Sequence, residues 1–81
     1  MENPADSLKK KVSSFPKKSG VYIMKDAKGT VLYVGKAKDL RQRVGQYFRK
    51  EAETRYQIKF LMKRVLDIKV IVSDTEKEAL L

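Results

Sequence analysis

Tyr22, Tyr33 and Arg43 are the side chains of this sequence best suited to chemistry, with Lys36 close behind Tyr33. The chain has no histidine and no cysteine. The commonest general base and the thiolate nucleophile are therefore excluded. Acid–base work falls to Tyr, Lys, Asp, Glu or a metal-bound water. A phenol with its ordinary pKa near 10 is a weak base at neutral pH. A neighbouring cation such as Lys36 or Arg43 favours phenolate and would lower that value. Arg43 can also clamp a phosphate through two parallel hydrogen bonds. These residue types suit phosphodiester hydrolysis, which needs an activated water, a stabilised transition-state charge and a leaving oxygen that is cared for. Tyr22 or Tyr33 would serve the first need and Arg43 the second. The third usually falls to a divalent cation on carboxylate oxygens. The acids are poorly spaced for that: Asp26 in a turn, Asp39 and Glu78 at helix caps, Glu51 and Glu53 in a polar connection. Plain hairpin packing is the competing explanation of the two tyrosines.

The elements that must position these groups follow from pattern. VYIMK (21–25) and TVLYVG (30–35) are β-branched and aromatic. The Asp26-Ala27-Lys28-Gly29 break between them predicts a hairpin. A four-residue loop sets Lys25 opposite Thr30, Met24 opposite Val31, Ile23 opposite Leu32 and Tyr22 opposite Tyr33. One face then carries Val21, Ile23, Leu32 and Val34. The other carries Tyr22, Met24, Val31, Tyr33 and Gly35. Asp39, with Gln42 three residues on, predicts a capped helix from about Leu40 to Phe48. Leu40, Val44 and Phe48 share its buried stripe, Arg43 and Tyr47 lie on one edge, and Arg41 on the opposite flank. A short helix is expected from Asp6 or Ser7, ended by Phe15-Pro16. Residues 55–66 predict a further helix, 67–72 a third strand, and Thr75 with Glu78 the capping box of a last helix. The chain is thus expected to be one α/β (α+β) domain over 1–81, with residues 1–6 disordered. A small three-stranded antiparallel sheet would be flanked by helices.

Nineteen basic residues against ten acidic ones give a net charge of +9 over 81 residues. Such a balance favours a polyanionic partner, nucleic acid or an anionic membrane surface. The basic residues fall in three runs, Lys9 to Lys18, Lys36 to Lys50 and Arg55 to Arg64. Their competing explanation is a solvated surface. Tyr47, Phe48 and Tyr56 could stack on bases, although Phe48 is better explained as core. No apolar run approaches the roughly 20 residues of a membrane helix. The N-terminus lacks the apolar stretch of a signal peptide. A cytoplasmic location is expected.

Gly20-Val21-Tyr22 and Tyr33-Val34-Gly35, with Arg43 ten residues beyond Tyr33, resemble the paired motifs and arginine of the GIY-YIG nuclease family. Valine stands for isoleucine in both motifs. FPKKSGVYIMKD, YVGKAKDLRQRVGQYF and SDTEKEALL resemble, within that family, the N-terminal domain of the bacterial excision-repair (UvrC) branch. The likeness runs from about residue 7 to 81. It implies the GIY-YIG fold and a nuclease that nicks DNA on the 3′ side of a lesion. It further implies a Mg or Mn ion and partnership with UvrA and UvrB. By match, Tyr33 or Tyr22 would be the base, with Lys36 near it. Arg43 would stabilise phosphate charge and Tyr47 would help position it. Lys36, Lys38, Arg41, Arg43 and Arg49 would contact DNA. The family's metal-binding glutamate follows the EALL segment, so its position falls beyond Leu81 and no metal ligand is assigned within the chain. On that reading the domain is truncated and cuts DNA weakly or not at all. The alternatives are a non-catalytic DNA- or RNA-binding module and another GIY-YIG nuclease.

Overall fold

The computed structural model describes residues 4–49 and 55–73. In chain order these form helix α1 (Pro4–Ser13), strands β1 (Gly20–Lys25) and β2 (Val31–Ala37), helix α2 (Leu40–Gly45) and a 3-10 turn (Gln46–Phe48). Helix α3 (Tyr56–Arg64) and strand β3 (Asp67–Val72) follow. The three strands make one antiparallel sheet in the order β2-β1-β3, the α+β arrangement expected from sequence. The helix anticipated from Thr75 lies outside the described residues.

Helix α1 begins at Pro4, earlier than Asp6 and within a stretch expected to be disordered. Proline suits a first helical turn because its missing N–H has no helical partner there, and Asp6 in that turn complements the helix dipole. Leu8 and Val12 are buried on one face of α1, and Phe15 is buried just beyond its end. Lys11 forms an ion pair with Asp67, tying α1 to β3.

The hairpin register differs from the expected one. Gly29 lies in the left-handed region at φ 82°. Gly29 N–H donates to Asp26 C=O, and Asp26 N–H to Thr30 C=O. The Asp26 carboxylate accepts from the N–H groups of both Lys28 and Thr30. Asp26 therefore belongs to the ladder and the loop is one residue shorter than counted, a turn followed by a left-handed glycine. Lys25 then pairs with Val31. A bulge follows, so that Met24 pairs with Tyr33 and Tyr22 with Gly35. Tyr22 and Tyr33 are diagonal neighbours rather than a directly opposed pair. Tyr22, Met24, Tyr33 and Gly35 still share a face, as expected. Val31 does not join them; it is 51% exposed, while Leu32 packs against the core.

That tyrosine face is the buried one. Tyr22, Met24 and Ile68 meet Leu8, Val12 and Phe15 from the α1 side, Leu40 and Val44 from α2, and Val65 after α3. The opposite face carries Val34 and Ile71, which are 54% and 59% exposed. Helix α2 opens at Asp39, whose carboxylate accepts the Gln42 N–H. Its register turns tighter after Gly45, so Tyr47 and Phe48 are placed by a 3-10 turn rather than by a continued α-helix. Leu40 and Val44 are fully buried, and Phe48 is half-buried against the core.

Candidate active site

The site is built where β1, β2 and α2 meet. Strand alternation points Tyr22 from β1 toward α2, and the residue opposite it on β2 is Gly35. The Tyr22 ring lies so close to Gly35 that a β-carbon there would overlap the ring and its hydroxyl. Tyr22 is only 1% exposed. Its hydroxyl meets that of Tyr47 at 2.9 Å, and either phenol can donate. The two rings pack edge to face, with centroids 5.9 Å apart. Tyr33 lies on the other side of Tyr22, with ring centroids 6.0 Å apart and tilted by 40°. Arg43, one helical turn before Tyr47, donates to the Tyr22 hydroxyl. Three phenols and one guanidinium therefore form one cluster, with the buried Tyr22 at its centre.

Electrostatics divide the roles. Burial pushes the Tyr47 phenol well above its ordinary value. The hydrogen bond with Tyr22 and the nearby phenols add to that rise, and Arg43 pulls the other way. At Tyr47 burial outweighs the nearby guanidinium. Arg43 is held even more firmly charged than usual, first by its hydrogen bond to Tyr22 and then by attraction to the same group. Tyr33 differs from both other phenols in being 42% exposed.

Of the residues singled out from sequence, Tyr22, Tyr33, Arg43 and Tyr47 are brought together. Lys36 is not placed with them by the strand: it pairs with Val21, on the face opposite Tyr22 and Gly35, along the outer strand of the sheet. Lys38 is exposed just after β2, and Arg49 is exposed after the 3-10 turn. Arg41 lies on the other flank of α2, as expected. There its Nε donates to the Phe15 carbonyl at 2.7 Å, a link between α2 and the end of α1. The Tyr56 side chain lies outside the described ones. Two features escaped sequence reasoning: Gly35 as the seat of the Tyr22 ring, and Arg41 as a tie within the fold. An isolated glycine inside a strand pattern was the available signal for the first.

The surroundings of the cluster bear on metal binding. Magnesium takes oxygen ligands, usually including one or two carboxylates. Among the described residues no three carboxylate, imidazole or thiolate side chains gather to hold an ion. Asp39, the acid nearest in sequence to Arg43, is engaged as the α2 cap. The described residues do not by themselves make a magnesium shell.

Comparison with known proteins agrees with this fold. The family model of the UvrC-like GIY-YIG domain matches residues 18–81. UvrABC system protein C of Geotalea daltonii is 63% identical over 70 residues, which are 86% of this chain and 11% of that protein. The namesake protein of Geobacter metallireducens is 55% identical over 73 residues, 90% of this chain and 12% of its own length. The chain thus spans about an eighth or less of these curated relatives. The GIY-YIG N-terminal endonuclease domain of UvrC from Thermotoga maritima, solved with magnesium as its catalytic divalent cation, superposes with a TM-score of 0.80. Sequence identity is 30%, covering 99% of this chain and 82% of that one. A tyrosine-to-phenylalanine variant of the same domain, also bound to its cation, gives a TM-score of 0.81 at 28% identity, covering 99% of this chain and 81% of that one. With family model, relatives and fold in agreement, the chain belongs to the UvrC-like GIY-YIG domain family.

Proposed function

We propose that this chain is the nuclease unit of an excision-repair enzyme, hydrolysing a DNA phosphodiester on the 3′ side of a lesion. The observation that carries the reading is the contrast among the phenols. Tyr33 stands open to solvent at 42% exposure, beside a Tyr22 that is 1% exposed and hydrogen-bonded. Tyr33 can reach a water and a phosphate, whereas the Tyr22 hydroxyl is already engaged. The phenolate form of Tyr33 therefore takes the proton of the attacking water and becomes the neutral phenol. Tyr47 stays protonated and bonds to Tyr22; Tyr22 in turn holds Arg43, whose permanent charge stabilises the phosphate oxygens as negative charge builds. Lys38 and Arg49 contact the DNA backbone; Lys36 does so from the outer strand, and Arg41 from the far flank of α2.

A magnesium ion, the cation of the Thermotoga maritima domain, or a manganese ion would neutralise charge at the leaving oxygen when bound. Its ligands are expected from outside the described residues. UvrA and UvrB are the partners that would bring lesion-bearing DNA to the site, in the cytoplasm. Among the described residues no helix is long and apolar enough to cross a membrane.

The test uses the longer protein, with nicking and DNA binding measured separately. Tyr33→Phe should slow nicking by about 10²–10⁴-fold, the usual worth of a general base. Arg43→Ala should abolish it, and binding should survive in both variants. Parallel loss of binding and nicking in both variants would favour a non-catalytic binding module. A fast Tyr33→Phe variant alongside a dead Tyr22→Phe variant would move the base to Tyr22.

A further inference from the structure

Outside the tyrosine cluster, the most organised charged feature is the connection between α1 and β1. It carries Lys17 and Lys18, both exposed. The loop is fastened on three sides. Leu40 N–H donates to the Lys18 carbonyl at 3.0 Å, and Arg41 N–H to the Pro16 carbonyl at 3.3 Å. The Arg41 side chain adds its bond to Phe15. Ser19 donates its hydroxyl to the Lys38 carbonyl at 3.3 Å, and its own carbonyl accepts Ser73 N–H at 2.9 Å. The backbone bonds bring Lys17 and Lys18 beside Lys38 at one end of the sheet, where Gly20 pairs with both Ala37 and Val72. The acid within this stretch, Asp39, spends its carboxylate on capping α2. The loop's carbonyls make these hydrogen bonds, and the Lys17 and Lys18 side chains stand exposed on a fixed frame. Less conformational entropy is then lost when an anion is bound than for a free loop.

We infer that Lys17 and Lys18, with Lys38, form a second phosphate-binding surface that holds the DNA backbone a few nucleotides from the cut. This rests on the nuclease reading above and extends it. The spacing supports the assignment. Lys38 lies three residues along the chain from Gly35, about 10 Å at ~3.3 Å per residue. That separation keeps the surface and the tyrosine cluster within reach of one short stretch of DNA. A strand whose phosphate meets Arg43 and Tyr33 would therefore carry its neighbours across this end of the sheet. The surface reads no bases; it fixes register and orientation.

The experiment measures binding of this chain to a short fluorescein-labelled DNA duplex by anisotropy, from about 50 to 200 mM salt. The test variant is Lys17→Gln/Lys18→Gln. The charge-matched control is Lys28→Gln/Lys63→Gln, with one change in the hairpin loop and one near the end of α3. Both control residues lie toward the other end of the sheet, where Leu66 N–H donates to the Lys25 carbonyl. Two lost phosphate contacts should lower the slope of log K against log salt by about 1.8. Across that salt range the parent would then lose about 12-fold more affinity than the test variant, while the control keeps the parental slope. Equal slopes for test and control would overturn the inference, because the lysines would then act only through net charge. An unchanged slope in the test variant would overturn it outright. The Arg43→Ala nicking assay is independent of this result. If nicking is lost there while the lysine variant binds as the parent does, the nuclease reading stands and the second surface falls.

Discussion

Replacing Gly35 by alanine should strike at Tyr22 from below. The added β-carbon would overlap the Tyr22 ring and hydroxyl, and Tyr22 is too buried to swing into solvent freely. Either the ring moves and its hydrogen bond to Tyr47 breaks, or β1 and β2 spread apart. Overpacking of a filled core costs about 1–3 kcal/mol. The lost hydrogen bond adds about 0.5–1.5 kcal/mol. A total of about 2–4 kcal/mol is a large share of the ~4–12 kcal/mol available to a domain of this size. Thermal unfolding followed by circular dichroism should show a Tm lower by about 10–30 °C. Gly29→Ala is the reference variant. Gly29 has open space around it, and its demand is the positive φ alone, so its net cost should be about 1 kcal/mol. If Gly35→Ala falls no further than Gly29→Ala, the seating of Tyr22 on Gly35 does not constrain the site. A second comparison keeps the reasoning exposed. Tyr22→Leu placed in the Gly35→Ala background should recover part of the loss, giving a coupling of about 1 kcal/mol or more. Additive effects would refute the contact.

Three further outcomes follow from the same geometry. Tyr47 is harder to ionise in the folded chain than in the unfolded one, through burial first and the bond to Tyr22 second. Its contribution to stability is therefore complete below about pH 10 and is lost as pH rises beyond that; Tyr47→Phe should flatten that alkaline decline in urea titrations. Arg41→Ala removes the bond to the Phe15 carbonyl and should cost about 1–2 kcal/mol in urea unfolding. Arg41→Lys should not restore it, because a lysine lacks the planar fork. Gly45 is helical with nothing near its missing side chain, so Gly45→Ala should stabilise the chain by about 0.5–1 kcal/mol and raise its Tm.

The site was more legible in the sequence than the register that builds it, and the reason is parity. Counting a four-residue loop mispaired the hairpin twice over. Asp26 joined the ladder because Gly29 could take a left-handed turn, which slipped the pairing by one residue. The bulge between Met24 and Lys25 slipped it by one more. Two slips restore the original face, so Tyr22, Met24, Tyr33 and Gly35 stayed together although every partner changed. Val31 lies between the two slips, and it and Leu32 are the residues whose faces were misjudged. Helical spacing needed no such luck, since the four-residue offset from Arg43 to Tyr47 survives the change from α to 3-10 geometry closely enough to keep both near Tyr22. The Tyr22–Tyr47 bond and the Gly35 seat were not legible, because each depends on a distance between elements far apart in the chain. Their consequence is specific. The bulge moves Tyr33 off the direct line of Tyr22 and leaves Gly35 there instead. A side chain at that position would hold the sheet away from the Tyr22 ring. The empty place lets Tyr22 lie inward against Arg43 and Tyr47, and Tyr33 is left as the phenol of the cluster most open to solvent.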